Sequence, residues 1–381
     1  MVGGGGHRFR DNMRPRFCLA PVSSSYAAQV AGYIRIVRHR IRRLAYGRFC
    51  RAASQEGTQI VNPAPIVSIV MPAYNAAPYI GETLDSVFAQ TFTDYEVIMV
   101  NDGAPDTLEL ERALVPYKSR IRYIKQENLG AGAARNEGLR AAQGEFIAFL
   151  DADDLWFPNY LEEQLQFIRA NDFDLVCADA MHFGDSRLAG RTYMEAFMQS
   201  APPVGEVTFL GLVSAEQSLI TSGVVARRAP IIEVGLFDEA LRNSQDFDLW
   251  LRLVRHGARL AYRKQTLLRY RCQENSLSGD EINRTARQLR VYDKIESSID
   301  FTPEERPAVL RAIEGRRALL EFELGKLYLE QGDFEKSRAA FSKANILRRS
   351  WKTVIAVLLS RITPGFLQSL RLRNVRKAHD Q

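Results

Sequence analysis

Three carboxylates stand within four positions at the end of an apolar run, in the stretch FIAFLDADDLWFP, residues 146–158. Asp151, Asp153 and Asp154 repel one another, and burying a carboxylate without a partner is unfavourable. Either water solvates all three at a loop, or a cation lies among them. Mg²⁺ and Mn²⁺ are commonly held by one or two carboxylates together with substrate phosphates. The pattern makes Asp151 and Asp153 candidate metal ligands, although they could instead cap a helix that starts after Pro158.

Three other apolar runs are also followed by groups that could bind a ligand. They offer an aromatic platform beside strand-breaking residues, a presented carboxylate, and a glycine turn that opens a helix bearing an arginine. Backbone N–H groups at such a helix start suit a diphosphate, and the arginine adds charge-assisted hydrogen bonds. With the acid pair, these groups describe a site for a metal-bound nucleoside diphosphate. The residues are Pro72, Tyr74 and Asn75; Asp102; and Gly130, Gly132 and Arg135.

Short apolar runs alternate with helical patterns from Ile66 onward. The runs IVSIVM, YEVIMV, IRYI and FIAFL read as strands. Helical stretches are predicted between them, near Tyr79–Gln90, Asp106–Lys118 and Ala131–Ala142. Alternation of this kind predicts an α/β fold with a mostly parallel sheet covered by helices. Ligands of such sheets bind beyond the carboxyl ends of the strands, where the polar segments fall.

Four regions are expected along the chain. Residues 1–62 form a basic arm, in which apolar residues recur at helical spacing from Tyr26 to Phe49. This pattern predicts an amphipathic helix that either binds an anionic membrane surface or docks on the body. Residues 63–279 form the α/β domain. Residues 280–348 are helical and contain one tetratricopeptide-like hairpin. A single hairpin of this kind cannot bury its own apolar face, so it is expected to pack on another part of the protein or on a second chain. Residues 349–381 form a basic amphipathic tail, a second candidate membrane anchor.

The net charge of +6 resides mainly at the ends, since ten arginines face one acid in the first fifty residues. Nucleic acid is not an expected partner. The four cysteines have no metal-ligand spacing, which favours a reducing compartment. No signal peptide and no run of about 20 apolar residues is visible. The expected location is the cytoplasm, with the termini peripheral on the inner face of the plasma membrane. A homo-oligomer is also a candidate assembly.

From about Val67 to Ser278 the chain resembles glycosyltransferase family 2, the inverting enzymes of GT-A fold. The resemblance rests on VSIVMPAYNAA, VNDGAPD, NLGAGAARNEGLRAAQGEFIAFLDADD and GLFDEALRNSQDFDLWLRL, in that order. It implies a metal-assisted hexosyltransferase-like enzyme. The expected donor is a nucleotide-diphosphate sugar, UDP-linked in the first instance. The expected acceptor is the hydroxyl of a glycan or a lipid-linked acceptor in polysaccharide synthesis.

The resemblance also implies roles for individual residues. Tyr74 would stack on the donor base and Asp102 would accept from its N3–H. Asp153 would be the direct metal ligand, with Asp151 nearer the ribose. Asp246, in QDFDLW, would be the catalytic base, and Arg271 would reach the leaving diphosphate.

Three positions depart from the family pattern. Asn101 stands where a second acid is usual, Gln245 replaces a glutamate beside the base, and Gln273 lies where a histidine is common. A catalytically weak nucleotide-sugar-binding module that acts through its helical extension is therefore the alternative function. Asp246 could also form an ion pair with Arg252 rather than act as a base. A sugar-phosphate nucleotidyltransferase is less favoured, because it needs a glycine-rich loop with arginine directly after the first strand.

Overall fold

The computed structural model describes residues 64–185, 188–242, 244–272, 281–298, 301–369 and 371. The predicted arm of residues 1–62, with its amphipathic helix between Tyr26 and Phe49, lies outside the described residues. So does most of the tail after residue 369, and so does Gln273. The first four strands are β1 (Val67–Ala73), β2 (Tyr95–Asp102), β3 (Arg122–Gln126) and β4 (Phe146–Phe149).

Strand β1 is an interior strand of the sheet, and nearly all of its residues are apolar and buried on both faces. It pairs in parallel with β2 on one side and with β4 on the other, and β2 pairs in parallel with β3. Burial on both faces is what a parallel sheet covered by helices requires. The four strands and their parallel arrangement are therefore confirmed. Their carboxyl ends lie at one edge of the sheet.

The second half of the sheet is mixed. Strand β8 (Val224–Arg227) runs antiparallel to β4 and to β6 (Leu175–Gly184), and β6 pairs in parallel with the long β9 (Leu260–Cys272). Two short strands, β5 (Leu155–Trp156) and β7 (Val204–Val207), pair antiparallel with β9. The order across the described sheet is β3-β2-β1-β4-β8-β6-β9-β5, with β7 beside β9. The carboxyl ends of β6 and β9 therefore share the edge reached by β1–β4.

Helices cover the sheet and continue beyond it. The stretch predicted as helical up to Lys118 ends at Ala113 and is followed by a 3₁₀ turn, Val115–Tyr117, because Pro116 disfavours the helical conformation of the residue before it. A second 3₁₀ turn spans Thr221–Gly223. The helices are α1 (Ile80–Phe88), α2 (Thr107–Ala113), α3 (Ala131–Ala141), α4 (Tyr160–Ala170), α5 (Tyr193–Phe197), α6 (Phe209–Val213), α7 (Arg228–Glu233), α8 (Gln245–Arg255), α9 (Glu281–Ser298), α10 (Arg306–Glu330), α11 (Phe334–Leu347) and α12 (Trp351–Ile362).

The C-terminal helices pack on the α/β body. Val291, Tyr292 and Ile295 of α9 are buried in the same apolar core as the sheet. The Tyr292 hydroxyl donates to the carbonyl of Val213 at 2.9 Å. Lys294 pairs with both Asp238 and Asp248 at 2.6 Å, which ties α9 to the helix that carries the candidate base. Helix α9 is therefore the element that attaches the C-terminal helices to the α/β body.

Helices α10 and α11 form the hairpin whose spacing resembles a tetratricopeptide unit. The ring of Phe341 lies against Gly325, so close that a Cβ there would meet its ring carbons at 2.5 Å. The Ser337 hydroxyl donates to the carbonyl of Gly325 at 2.8 Å. Glycine is therefore required at this crossing because the two helices approach at their backbones. The C-terminal helical extension is confirmed.

No helix in the described ranges combines the length and the apolar content needed to cross a bilayer. Among the same residues Cys177 is a buried free thiol.

The hairpin provides a stability test with an internal control. The variant Gly325→Ala places a methyl group 2.5 Å from carbons of the Phe341 ring. This overpacking should lower the free energy of unfolding by about 1–3 kcal/mol. Gly315 lies on the same helix and has only an Arg348 guanidinium atom at 3.6 Å, so Gly315→Ala should raise stability by roughly 0.5–1 kcal/mol. Urea unfolding of both variants measures the difference. Equal effects of the two substitutions would contradict this packing.

Candidate functional site

The carboxyl-end edge of the sheet carries the loops that contain the predicted site residues. Pro72 lies within β1 and is partly buried, and Tyr74 just beyond it is 48% exposed with its ring open to solvent. Asn75 adopts a left-handed φ of 52°, a conformation that asparagine tolerates better than most residues. The amide of Ala77 donates to Asp106 at 2.8 Å, which fixes the loop behind Tyr74. An exposed ring on a fixed loop suits the predicted base platform.

The carboxylate of Asp102 holds the glycine turn that follows β3. It is buried, with 3% exposure, and accepts from Gln126 Nε2 at 2.7 Å. It also accepts from the amides of Leu129 at 2.9 Å and Gly130 at 2.8 Å. Both oxygens are therefore engaged by protein donors. The contact with a nucleobase that the resemblance implies stays a prediction, and the observed contacts shape the turn instead.

Asn101, the departure next to Asp102, is fully satisfied by neutral partners. Its side-chain amide donates to the hydroxyls of Thr107 at 2.9 Å and Tyr123 at 2.8 Å. Its carbonyl accepts from the amide of Ala104 at 3.0 Å. Asn101 is 1% exposed, and an uncharged residue avoids placing a second buried carboxylate beside Asp102. The substitution therefore preserves the loop.

Helix α3 begins directly at the glycine turn. Gly130 has a φ of 96°, which a side chain would oppose, and a Cβ on Gly132 would meet the Gln245 side chain at 3.2 Å. The first turn of α3 is thus packed against the start of α8. Arg135, 8% exposed, forms an ion pair with Asp151 at 2.5 Å, while its Nε has no hydrogen-bond partner in the described part of the chain. The ion pair with Asp151 is the contact that the structure shows for Arg135, and the predicted contact with a phosphate stays a prediction.

The three carboxylates after β4 occupy three different environments. Asp151 is paired with Arg135. Asp154 is fully buried and accepts from the Ser222 hydroxyl at 2.5 Å and from the amide of Arg271 at 2.8 Å. Burial, and then the charges of Asp153 and Asp151, hold the pKa of Asp154 well above its usual range.

The surroundings of Asp153 disfavour its charged form. Burial, followed by the charge of Asp151, raises its pKa to about 6, and Arg271 offsets only part of this. Because helix α4 begins at Tyr160 with Asn159 at its cap, neither Asp151 nor Asp153 caps it. The helix-capping alternative for this acid pair is wrong.

The donor set fits a cation that completes its shell with substrate oxygens. Within the described ranges no three His, Cys, Asp or Glu side chains converge to hold a metal by themselves. Asp151 and Asp153 supply two carboxylates, and the raised pKa of Asp153 shows that its negative charge is disfavoured beside Asp151. A divalent ion bound with phosphates needs only one or two protein carboxylates. The residues present are compatible with Mg²⁺ or Mn²⁺ on these terms.

The 3₁₀ turn Thr221–Gly223 was not recognised from the sequence, and it joins the acid loop to the candidate base. The Ser222 hydroxyl donates to Asp154 and accepts from the amide of Asp151 at 3.1 Å. The hydroxyl of its neighbour Thr221 donates to Asp246 Oδ2 at 3.0 Å. A Thr-Ser-Gly triplet has no periodic or motif signal, and only the fold brings it between the two sets of acids.

Asp246 lies in the first turn of α8, which starts at Gln245 after Ser244 with a left-handed φ of 58°. Its Oδ1 accepts from the amide of Phe247 at 2.8 Å, so both oxygens have a defined orientation. Arg252 pairs with Asp248 at 2.8 Å and also donates to two backbone carbonyls. The alternative ion pair between Asp246 and Arg252 is therefore wrong.

Arg271, at the end of β9, lies beside the acid loop. Its Nε donates to the carbonyl of Asp153 at 2.9 Å, and its Nη2 pairs with Glu82 at 2.6 Å. The guanidinium also lies over the rings of Tyr79 and Phe183 at 4.8 and 4.4 Å. These contacts hold the guanidinium beside the acid loop. Its role at the diphosphate stays a prediction.

Comparison with known proteins places this geometry in a family. Residues 68–212 match the profile described as Glycosyl transferase family 2. An uncharacterized glycosyltransferase of Rickettsia felis is 33% identical over 50% of this chain and 32% of its own length. The chain thus spans about a third of that relative. An uncharacterized glycosyltransferase of Methanocaldococcus jannaschii is 31% identical over 56% of this chain and 74% of its own length. A putative teichuronic acid biosynthesis glycosyltransferase of Bacillus subtilis, TuaG, is 29% identical over 62% of this chain and 91% of its own length.

Two solved structures share the architecture. TarS 1–349 of S. aureus in complex with UDP-GlcNAc gives a TM-score of 0.57 at 18% identity, over 82% of this chain and 91% of that chain. Mannosyltransferase PcManGT from Pyrobaculum calidifontis in complex with GDP-Man and Mn²⁺ gives 0.54 at 17% identity, over 86% and 91%. At these identities the likeness shows the fold, a mostly parallel GT-A-like sheet flanked by helices. Together with the match over residues 68–212 and the M. jannaschii relative, it confirms the resemblance: the chain belongs to glycosyltransferase family 2.

Proposed function

We propose that this transferase moves one sugar from a nucleotide-diphosphate sugar to an acceptor hydroxyl with inversion, and that UDP-sugars are the first donors to test. One observation carries the proposal. The turn Thr221–Gly223 bonds the candidate base Asp246 through Thr221 and the acid loop through Ser222. The group that would accept a proton and the groups that would hold a donor diphosphate are therefore one short turn apart.

The glycine turn and α3 would bind the donor. Asp102 fixes the turn through the amides of Leu129 and Gly130, which leaves the later amides at the start of α3 to face an anion. Tyr74 would stack on the base. TarS was solved with UDP-GlcNAc and PcManGT with GDP-Man, and this supports a nucleotide sugar as the donor class.

Asp151 and Asp153 would hold a divalent cation, as the presence of Mn²⁺ in the PcManGT complex supports. When bound, such an ion acts as a Lewis acid that neutralises charge on the diphosphate. Arg135 neutralises Asp151 in this structure. When a cation binds, this ion pair would have to weaken, or Asp151 would have to contact both Arg135 and the cation. Arg135 would then be available to a phosphate oxygen, the contact that the sequence predicts for it.

Asp246 would act as the general base. It would take the proton of the acceptor hydroxyl while that oxygen forms a bond to the anomeric carbon. The bond from this carbon to the diphosphate oxygen breaks, and the nucleoside diphosphate leaves with the electron pair. Attack from the face opposite the diphosphate inverts the anomeric centre. Thr221 keeps the Oδ2 of Asp246 oriented, so the base does not need to reorganise when the acceptor arrives.

The acceptor would lie near residues 177–222, which include an aromatic cluster beside the acid loop. His182 stacks near Tyr193 with ring centroids 6.0 Å apart, and Phe197 is 4.9 Å from Tyr193 and half exposed. Aromatic faces of this kind suit sugar rings. The relationship to TuaG supports a cell-envelope glycan or a lipid-linked acceptor, and a peripheral position at the inner face of the plasma membrane follows from such an acceptor.

The function is tested by incubating the full chain with a panel of nucleotide sugars and Mn²⁺ and measuring release of the nucleoside diphosphate. Asp153→Ala and Asp246→Asn should each reduce release at least about 100-fold. Only Asp153→Ala should also weaken Mn²⁺-dependent donor binding, because Asp246 contacts the acceptor side. Asp94→Asn, before the amino end of β2 at the opposite edge, is the control and should change neither. Donor binding without any turnover would favour the binding-module alternative.

Binding of the cation should depend on pH through Asp153. Because its pKa is raised to about 6, a proton competes with the cation below this pH. The affinity for Mn²⁺ with UDP should fall roughly tenfold per pH unit below about 6 and level off above about 7. Calorimetry across this range measures the profile. An affinity that does not change between about pH 5 and 7 would contradict it.

The same shift predicts a change in stability without metal. A raised folded pKa means that folding binds a proton, so the contribution of Asp153 falls as pH rises from about 4 through about 6. The variant Asp153→Asn should therefore raise the Tm more at about pH 7.5 than at about pH 4.5. Thermal unfolding of the metal-free protein at both values measures the difference.

Thr221 should behave as a positioning residue. Thr221→Val removes the hydrogen bond to Asp246 and should lower kcat roughly 10- to 100-fold while donor affinity stays the same. Thr221→Ser keeps a hydroxyl and should restore most of the activity. Steady-state kinetics of donor hydrolysis, with donor binding measured separately, tests this. A Val variant with normal kcat, or a Ser variant as slow as Val, would show that the contact does not serve the base.

A further inference from the structure

Helix α12 exposes its largest apolar side chains and buries small ones on its opposite side. Trp351, Ile355, Leu358 and Ile362 are 71%, 46%, 51% and 74% exposed. At 3.6 residues per turn they fall within an arc of about 60°. Phe366, 59% exposed, follows just beyond the helix end. These five residues are called the α12 face.

The opposite side of the helix is the side that packs on the protein. Thr353, Ala356 and Ser360 are buried there. The Thr353 hydroxyl donates to the Asn345 side chain of α11 at 2.9 Å, and a capping box with Ser350 fixes the helix start. A surface helix in water normally turns its apolar stripe to the core. This reversal is not explained by the folding of the chain in water, and it calls for an apolar environment outside.

The segment that contains the α12 face is basic in sequence. Between residues 345 and 379 there are eight lysines and arginines and no acid. Lys352 and Arg361 lie on opposite flanks of the apolar arc, each about a quarter turn away from it. Arg371 pairs with Glu330 at 2.6 Å, so its charge is already balanced within the protein. An apolar stripe flanked by basic side chains is typical of a helix that lies in the interface of an anionic membrane.

The charges also decide between the possible occupants. A second copy paired through this face would bring two sets of basic side chains together. The arm of residues 1–62 would do the same, because its first fifty residues hold ten arginines and one acid. Anionic lipid is the occupant that complements both the apolar stripe and the charge.

We propose that the α12 face docks on an anionic lipid surface. The helix spans about 18 Å, too little to cross a bilayer, so it lies in the plane of the membrane with Trp351 at the headgroup level. Lys352 and Arg361 contact lipid phosphates on either side. This inference deepens the proposed function, on which it rests for a lipid-linked acceptor. Membrane docking is measured without sugar transfer. A failure of docking can therefore be distinguished from a failure of the proposed transferase activity.

Trp351 is a built-in reporter of this docking. The chain has three tryptophans, and the other two, Trp156 and Trp250, are 3% and 1% exposed. The full chain is mixed with vesicles of phosphatidylcholine alone or with about 30% phosphatidylglycerol. With the anionic vesicles, Trp351 emission should shift to the blue, resist acrylamide, and be quenched by lipids brominated in the acyl chain. High salt should weaken the response, and Trp351→Phe should remove it.

A matched pair of variants separates this face from general hydrophobicity. The triple variant I355S/L358S/I362S should reduce partitioning into anionic vesicles at least about tenfold in a flotation assay. The control L108S/V115S removes two apolar side chains that are 65% and 68% exposed on the α/β domain, and should partition like the unchanged protein. Both variants should keep normal donor hydrolysis in lipid-free buffer.

Several results would overturn the proposal. Flotation with unchanged Trp351 emission would assign the membrane contact to another segment. Trp351 shielded from acrylamide in the absence of lipid would mean a protein occupant: a doubled mass by light scattering would identify a second copy, and a monomer mass would identify another part of the chain. Equal binding to neutral and anionic vesicles would remove the role of Lys352 and Arg361.

Discussion

Repulsion among the three carboxylates that follow β4 is the constraint around which the candidate site is built. Each acid is accommodated differently. Asp151 is paired with Arg135, and Asp154 is enclosed and held by Ser222 and a backbone amide. At Asp153, burial and the charge of Asp151 raise the pKa to about 6. Positive charge added beside Asp153 would therefore favour its charged form.

The turn Thr221–Gly223 connects this constraint to the rest of the sheet. The carbonyl of Ser222 accepts from Trp156 Nε1 at 2.9 Å, and that of Gly223 accepts from Gln164 at 3.0 Å. A Cβ at Gly223 would meet the carbonyl oxygen of Ala178 at 2.7 Å, so the turn lies directly on β6. Because the turn is held on all sides, its two hydroxyls are fixed. A fixed donor to Asp246 orients the base before substrate binds, which reduces reorganisation during the reaction.

The helical extension contributes to the site from a distance. Lys294 of α9 bridges Asp238 and Asp248, and Asp248 also pairs with Arg252. These contacts occupy the second acid of α8 and hold the helix whose first turn carries Asp246. Removing the extension would leave Asp248 with one partner fewer in a buried position, which is destabilising. The same extension ends in α12, so the proposed membrane contact and the support of the base belong to one continuous set of helices.

The sequence alone was sufficient for the parallel strands β1–β4, for the helices between them and for the family. Buried parallel strands are continuous apolar runs, and the polar residues at their ends are adjacent in the chain to those runs. The C-terminal helical hairpin was likewise visible as a spacing. These features are local, or they repeat with the period of the element that carries them.

Tertiary structure decided which partner each charged group takes. Arg252 pairs with Asp248 rather than Asp246, Asp102 holds the glycine turn, and Thr221 reaches the base from a segment without any motif. It also decided that α12 turns its apolar stripe outward, since an amphipathic pattern gives the angle between two faces but not the direction of the protein. Pairing energies depend on distance and burial, and both are properties of the folded chain rather than of the order of its residues.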